Sequence, residues 1–163
     1  MHLTKNGLTI DVPDAEVVNL VLERLAGNSP AASQDLATPR LGDYWQGQGG
    51  IFVGTVLGVD GKSNYHMILG PEFTDDLNHP DALQYAIDLE VEGHKDFTLP
   101  NRREQRFLYC NGLGHFKPRF YWSYEQHVAT PDYAFGQNFG DGYQSNTPKS
   151  NKFAVRAVRR IKL

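Results

Sequence analysis

Six histidines are the first groups able to bind a metal or move a proton: His2, His66, His79, His94, His115 and His127. None stands three or four residues from another, and none falls in a Cys/His ligand spacing. They read as scattered surface or hydrogen-bonded side chains. Ser123, His127 and Asp132 hold the residue types of a nucleophile, a base and its orienter. No G-x-S-x-G elbow accompanies them, and Ser123 sits in an aromatic run. Hydrolase chemistry is therefore not expected. Asp75, Asp76 and Asp141 offer oxygen ligands, far short of the roughly six to eight a calcium ion takes. No metal and no cofactor are expected. Gly61-Lys62-Ser63 ends like a phosphate-binding loop, but position 56 is Val where that loop needs Gly. Gly47-x-Gly49-Gly50 lacks the third glycine and the following helix of a dinucleotide site.

Two stretches have the chemistry of recognition instead. The tail carries Lys149, Lys152, Arg156, Arg159, Arg160 and Lys162. On a strand, Arg156 and Arg160 share one face with Ala154 and Val158, and Arg159 takes the other. That division splits the positive charge. It favours arginines paired with carboxylates or carbonyls over a single polyanion stripe. The second stretch, Tyr124 to Asn151, mixes Tyr, Phe and His with Gln, Asn, Ser, Gly and Asp. Binding loops favour such flat amphipathic rings and adaptable hydrogen-bonding groups. Phe135 and Phe139 are expected to pack. Tyr124, His127, Tyr133, Tyr143 and Gln144 are the candidate ligand contacts.

The elements that must hold these groups follow from hydrophobic spacing and turn residues. Asn6-Gly7 between short alternating segments predicts a hairpin over Leu3 to Ile10. Asp14 caps a predicted helix from Ala15 to Ala26, with Val17, Val21 and Leu25 on one apolar face. A Ser-, Ala- and Pro-rich linker follows. The predicted organisation is a hairpin–helix module over 1–27, a linker over 28–38 and a binding domain over 39–163. In that domain, Ile51 to Val59 and Tyr65 to Gly70 should pair through Asp60-Gly61. Asp81 to Glu92 should be a helix ending at Gly93. Asn101 and Glu104 have the spacing of a capping box, and Pro100 should open the second helix. Leu99 and Trp122 should be core, and Cys110 a small buried group on that helix. The residues from 124 to 151 should form surface loops, and the strand around Val155 to Val158 should pair near the middle of a sheet. Strands beside two helices make an α+β domain.

Composition limits the function classes. A chain of 163 residues suits one domain with an extension. It can bury about 70% of its unfolded surface. One cysteine excludes an internal disulfide framework. A net charge of −3 gives no whole-protein case for nucleic acid. No apolar run approaches the ~20 residues of a membrane span, so membrane insertion is not expected. The first residues lack the charged-then-apolar pattern of a signal peptide, so cytoplasmic synthesis is expected.

Four pieces then occur in one order: Asp96-Phe-x-Leu-Pro-x-x-x-Glu104, Tyr121-Trp-Ser123, Ala134-Phe-x-x-Asn-Phe-x-x-Gly142 and Val155-Arg-Ala-Val-Arg159. Together they resemble the Lcl-type C-terminal domain over about Pro39 to Ile161, most of the chain. That family's usual pattern is D-W-R-L-P-x-x-x-E-L, Y-W-S-S, A-W-x-x-x-F-x-x-G and V-R-x-V-R. Phe97, Thr98, Gln105 and Tyr124 stand where it commonly has Trp, Arg, Leu and Ser. Leu99, Pro100, Trp122, Arg156 and Arg159 match its structural positions. The resemblance implies a C-type-lectin-like domain of the kind found in phage and bacterial surface proteins. Relatives that generate formylglycine use paired cysteines, and calcium-binding lectins use Glu-Pro-Asn or Gln-Pro-Asp; neither is present here.

The expected function is non-catalytic: a phage- or prophage-encoded protein recognising a protein or glycan of a bacterial host through residues 124–151. The alternative is an intracellular phage-encoded inhibitor that binds a host protein. The first places the product in the virion, the second in the host cytoplasm. The apolar face of Val17, Val21 and Leu25 suggests a homo-oligomer. Sedimentation of the full chain and of a chain starting at Thr38 tests this. The full chain should associate at micromolar concentration and the shorter one should not; two monomers would remove the assembly role.

Overall fold

The computed structural model describes residues 2–5, 8–11, 38–112 and 114–163. The chain divides into two units, Met1–Ala37 and Thr38–Leu163. In the first, β1 (His2–Lys5) pairs antiparallel with β2 (Leu8–Asp11), from His2↔Asp11 to Lys5↔Leu8. That register matches the antiparallel pairing expected over Leu3 to Ile10. The predicted helix with Val17, Val21 and Leu25, and the linker as far as Ala37, lie outside the described residues.

The second unit is an α+β domain. Its strands are β3 (Tyr44–Trp45), β4 (Gly50–Val56), β5 (Tyr65–Glu72), β6 (Phe120–Gln126), β7 (Tyr133–Asn138), β8 (Gln144–Pro148) and β9 (Arg156–Lys162). Its helices are α1 (His79–Asp88) and α2 (Arg102–Asn111). One sheet has the order β3-β4-β5-β9 and the other β6-β7-β8, antiparallel throughout.

Turn chemistry explains where the elements stop. Asp60 (φ 53°) and Gly61 (φ 75°) are both left-handed, and the Lys62 amide donates to the Val59 carbonyl at 3.1 Å. This is the mirror-image turn expected of Asp-Gly, but the β4–β5 ladder already ends at Val56↔Tyr65. The strand expected to reach Val59 is therefore shorter. Asn78 caps α1 by accepting from the Asp81 amide at 2.9 Å. The helix ends at Asp88, not Glu92. Glu92 (φ 51°) and Gly93 (φ 81°) instead form a tight turn, closed by paired Val91 and His94 backbone bonds of 3.1 and 2.9 Å. Gly93 thus serves that turn and not a helix end.

Asn101 caps α2 in a full capping box: its side chain accepts from the Glu104 amide at 2.7 Å, and its own amide donates to Glu104 at 2.8 Å. Pro100 precedes the cap, so it aims the chain into the helix without opening it. Cys110 is exposed, not buried. The buried side of α2 holds Glu104, Gln105 and Leu108. Cys110 follows Leu108 by two residues, which at 3.6 residues per turn points it the opposite way.

Half of the stretch from 124 to 151, expected as loops, is strand. β6, β7 and β8 form a meander whose buried positions include Ala134, Gly136 and Gln137. Small and amide side chains there hide the alternation that usually marks a strand. The last strand also differs from expectation. β9 ends its sheet, pairing with β5 on one side only. Its other side meets Thr98 in a single bridge, with reciprocal Thr98–Val158 bonds of 2.9 and 2.8 Å. Just before β9, Ala154 bridges Tyr121 and so joins the two sheets.

Two cores result. One gathers Ala82 and Ala86 of α1 with Phe97, Leu99, Trp122, Val155 and Ala157. The other gathers Val53, Met67, Leu69, Leu108 and Val158. Trp122 is fully buried, and its indole donates to the Leu77 carbonyl at 2.8 Å. His79 stands edge-on to it and bonds the Ser123 carbonyl at 2.9 Å. Trp122→Ala should lower the unfolding free energy by about 3–5 kcal/mol, read by urea denaturation. An unchanged midpoint would mean that the first core does not depend on this ring.

Candidate functional site

A half-open cleft of about 540 Å³ lies where α1, α2 and the four-stranded sheet meet. Each wall comes from a different element. The β4–β5 turn supplies Val59 and Lys62, and the start of β5 supplies Tyr65. Leu83, Ala86 and Ile87 come from α1, Leu99 from the segment before α2, and Tyr124 from β6. Arg103 and Glu104 come from the first turn of α2, and Arg160 from β9.

The floor is built on Glu104, which is 1% exposed. Its Oε1 accepts from the Tyr65 hydroxyl and from Arg160 Nε, both at 2.6 Å. Its Oε2 accepts from the Asn101 amide at 2.8 Å and from Arg160 at 2.6 Å. The Arg160 fork is thus bidentate, and a third nitrogen reaches Thr98 Oγ1 at 2.6 Å. Burial alone would raise the Glu104 pKa. The bonds and charge of Arg160, the Tyr65 hydroxyl and the Asn101 amide outweigh it and hold the carboxyl below its ordinary 4.5. Tyr65 is pushed up to about 12, first by burial and then by the Glu104 carboxylate that its proton faces. Burial would also lower Arg160, but the facing carboxylate raises it. The trio is Glu⁻, Arg⁺ and neutral Tyr throughout the ordinary pH range.

The rim has a different character. Ile87 is 60% exposed and Tyr124 47%. Arg103 donates to the Leu57 carbonyl at 2.7 Å, which brings its guanidinium to the same turn that carries Lys62.

Of the residues proposed as ligand contacts, only Tyr124 lines this cleft. Its backbone amide bonds the Pro100 carbonyl at 3.0 Å, which sets β6 against the start of α2. His127 accepts from the Thr130 amide at 3.1 Å and lies 5.7 Å from the Phe135 ring, so it shapes a turn. Tyr133 is half-buried on β7 opposite Pro148. Tyr143 is exposed, on the turn held by Asp141. Gln144 spends its amide on the Arg102 carbonyl and on Gln137 Oε1, both at 2.7 Å. Gln137 in turn donates to the Gln105 carbonyl at 3.2 Å, so the amides clamp β7 and β8 to α2.

The motif arginines have structural partners. Arg156 donates to the carbonyls of Gly70 at 2.9 Å and His115 at 3.3 Å. Arg159 holds Asp96 at 2.6 Å and the Gln48 side chain at 2.8 Å. Tyr65, Arg103 and the Glu104–Arg160 pair were not among the sequence candidates. Glu104 was legible only as a capping residue. The cue for its second role was Arg160, on the face of the last strand opposite Arg159. Among the described residues, no group of three His, Cys, Asp or Glu could hold a metal ion. Nor is any described helix long and apolar enough to cross a membrane.

The second unit is thus a two-sheet α+β domain with a cleft over a closed ion pair. The chain belongs to the Lcl C-terminal domain family, whose model matches residues 44–159. That span includes every lining residue of the cleft except Arg160. A comparison with curated proteins finds no match.

Glu104 makes acid stability a test of this geometry. Its folded pKa is depressed, so its contribution is present above the unfolded value and lost as pH falls through the folded one. The unfolding free energy should therefore drop below about pH 4.5, and Glu104→Gln should remove that part of the slope. Glu104→Ala, which leaves Arg160 without its partner, should cost about 3 kcal/mol at neutral pH. Acid profiles that coincide for the wild type and Glu104→Gln would contradict the pairing.

Proposed function

We propose that this domain is a non-catalytic binding module on a C-type-lectin-like scaffold. It recognises a protein or glycan of a bacterial cell, in the manner expected of a phage or prophage product. One observation carries the non-catalytic reading: Glu104, the carboxylate of the cleft, has both oxygens doubly engaged. A general acid or base needs a free position and a pKa near its working pH. This one has neither. It braces the wall against which a ligand rests.

Two antiparallel sheets with two helices are compatible with the C-type-lectin-like scaffold. Membership of the Lcl family adds to that reading. The cleft is within the ~300–1,000 Å³ range of ligand sites, and its rim exposes apolar side chains that would gain from cover. Tyr124 is the residue in which the sequence and the cleft agree, so the ligand is assigned here.

Flow cytometry with the labelled full chain against a panel of intact bacteria tests the proposal. Binding to some strains is expected. Tyr124→Ala should weaken it by roughly 1–4 kcal/mol while the melting temperature stays nearly constant, as an exposed anchor requires. Tyr143→Ala should change little, because that ring lies away from the cleft. Failure to bind any cell, or equal loss from both variants, would overturn the assignment.

A further inference from the structure

The cleft is polarised, and its polarity names a class of ligand. This inference rests on the binding reading above and narrows it. One side, from α1 and β6, presents Leu83, Ile87 and Tyr124. The other side carries Lys62 and Arg103, gathered at the β4–β5 turn by the Arg103 bond to Leu57. Arg160 is neutralised by Glu104, but Lys62 and Arg103 face no carboxylate within salt-bridge distance among the described residues. The mouth is therefore cationic on a chain whose net charge is −3. Its ligand combines an apolar body with negative charge on one flank.

The polar atoms on the floor separate a polypeptide from a glycan. Sugar hydroxyls need acceptors as well as donors. Glu104 is the lone carboxylate of the lining, and its positions are filled. Asn101 Oδ1 is held by the Glu104 amide, and Thr98 Oγ1 by Arg160 and Leu99. A glycan would find apolar wall, cations and the Tyr124 hydroxyl, so most of its hydroxyls would lack a side-chain acceptor. An apolar side chain flanked by carboxylates would fill the first and pair with the second. We infer that the cleft docks an acidic polypeptide segment that inserts one bulky apolar side chain between Ile87 and Tyr124, with its carboxylates on Lys62 and Arg103.

The test is selection of a random linear peptide library on the immobilised full chain, followed by fluorescence polarisation with the recovered peptides. Recovered sequences should be acidic around a large apolar residue, and their binding should weaken as salt rises. Lys62→Glu and Arg103→Glu should each raise Kd about tenfold, equivalent to 1.4 kcal/mol. Lys152→Glu, an exposed position outside the lining, should leave it unchanged. Arg103→Gln guards against charge reversal acting through folding, and it should weaken binding by a smaller factor at an unaltered melting temperature. An empty selection, neutral or basic winners, or peptides indifferent to Lys62 and Arg103 would each overturn the inference. If peptides fail but bacterial cells are still captured in a Tyr124-dependent way, the peptide assignment falls and the binding reading stands. If cells are not captured either, both fall.

Discussion

The Glu104 carboxylate is the constraint on which the domain's geometry depends. A charge 1% exposed is tolerated only when its oxygens are fully bonded. The partners come from separate stretches: Asn101 at the start of α2, Tyr65 on β5 and Arg160 on β9. Through Arg160 the same group also reaches Thr98. Buried ion pairs add little net stability over a well-packed apolar substitute, yet breaking one is costly. Such a pair works less as glue than as a locator. It admits one placement of helix and strands, because any other leaves a charge buried alone.

The arginines of β9 extend this logic to both faces of the sheet. Arg160 turns toward α2 on the side of Val158 and Leu108. Arg159 turns toward Asp96 and Gln48, and its neighbour Ala157 packs in the core of Phe97, Leu99 and Trp122. Alternation along one strand therefore delivers a cationic anchor to each side. Ala154 meanwhile bridges to Tyr121, so the few residues up to Arg160 tie the two sheets and two cores together.

Local chemistry was legible in the sequence, and long-range pairing was not. The pairing of β1 with β2, the Asp60-Gly61 turn, the Asn101–Glu104 box and the burial of Leu99 and Trp122 follow from neighbouring residues alone. The end of α1 was misread because a Gly after a helix and a Gly in a tight turn look alike in one dimension. The meander of β6, β7 and β8 was hidden because its inward positions include Gly136 and Gln137, which carry no apolar signal. The cleft was hidden for a related reason. Its lining runs from Gly58 to Arg160, and no local window contains it.

The ends of the two sheets carry a further consequence. β3 is only two residues long, β8 finishes at Pro148, and β9 bears Arg159, Arg160 and Lys162 beyond its single bridge to Thr98. Shortness, proline and positive charge are the features that stop one sheet from adding to another. At these three edges, copies of this domain standing side by side would not zip into a common sheet.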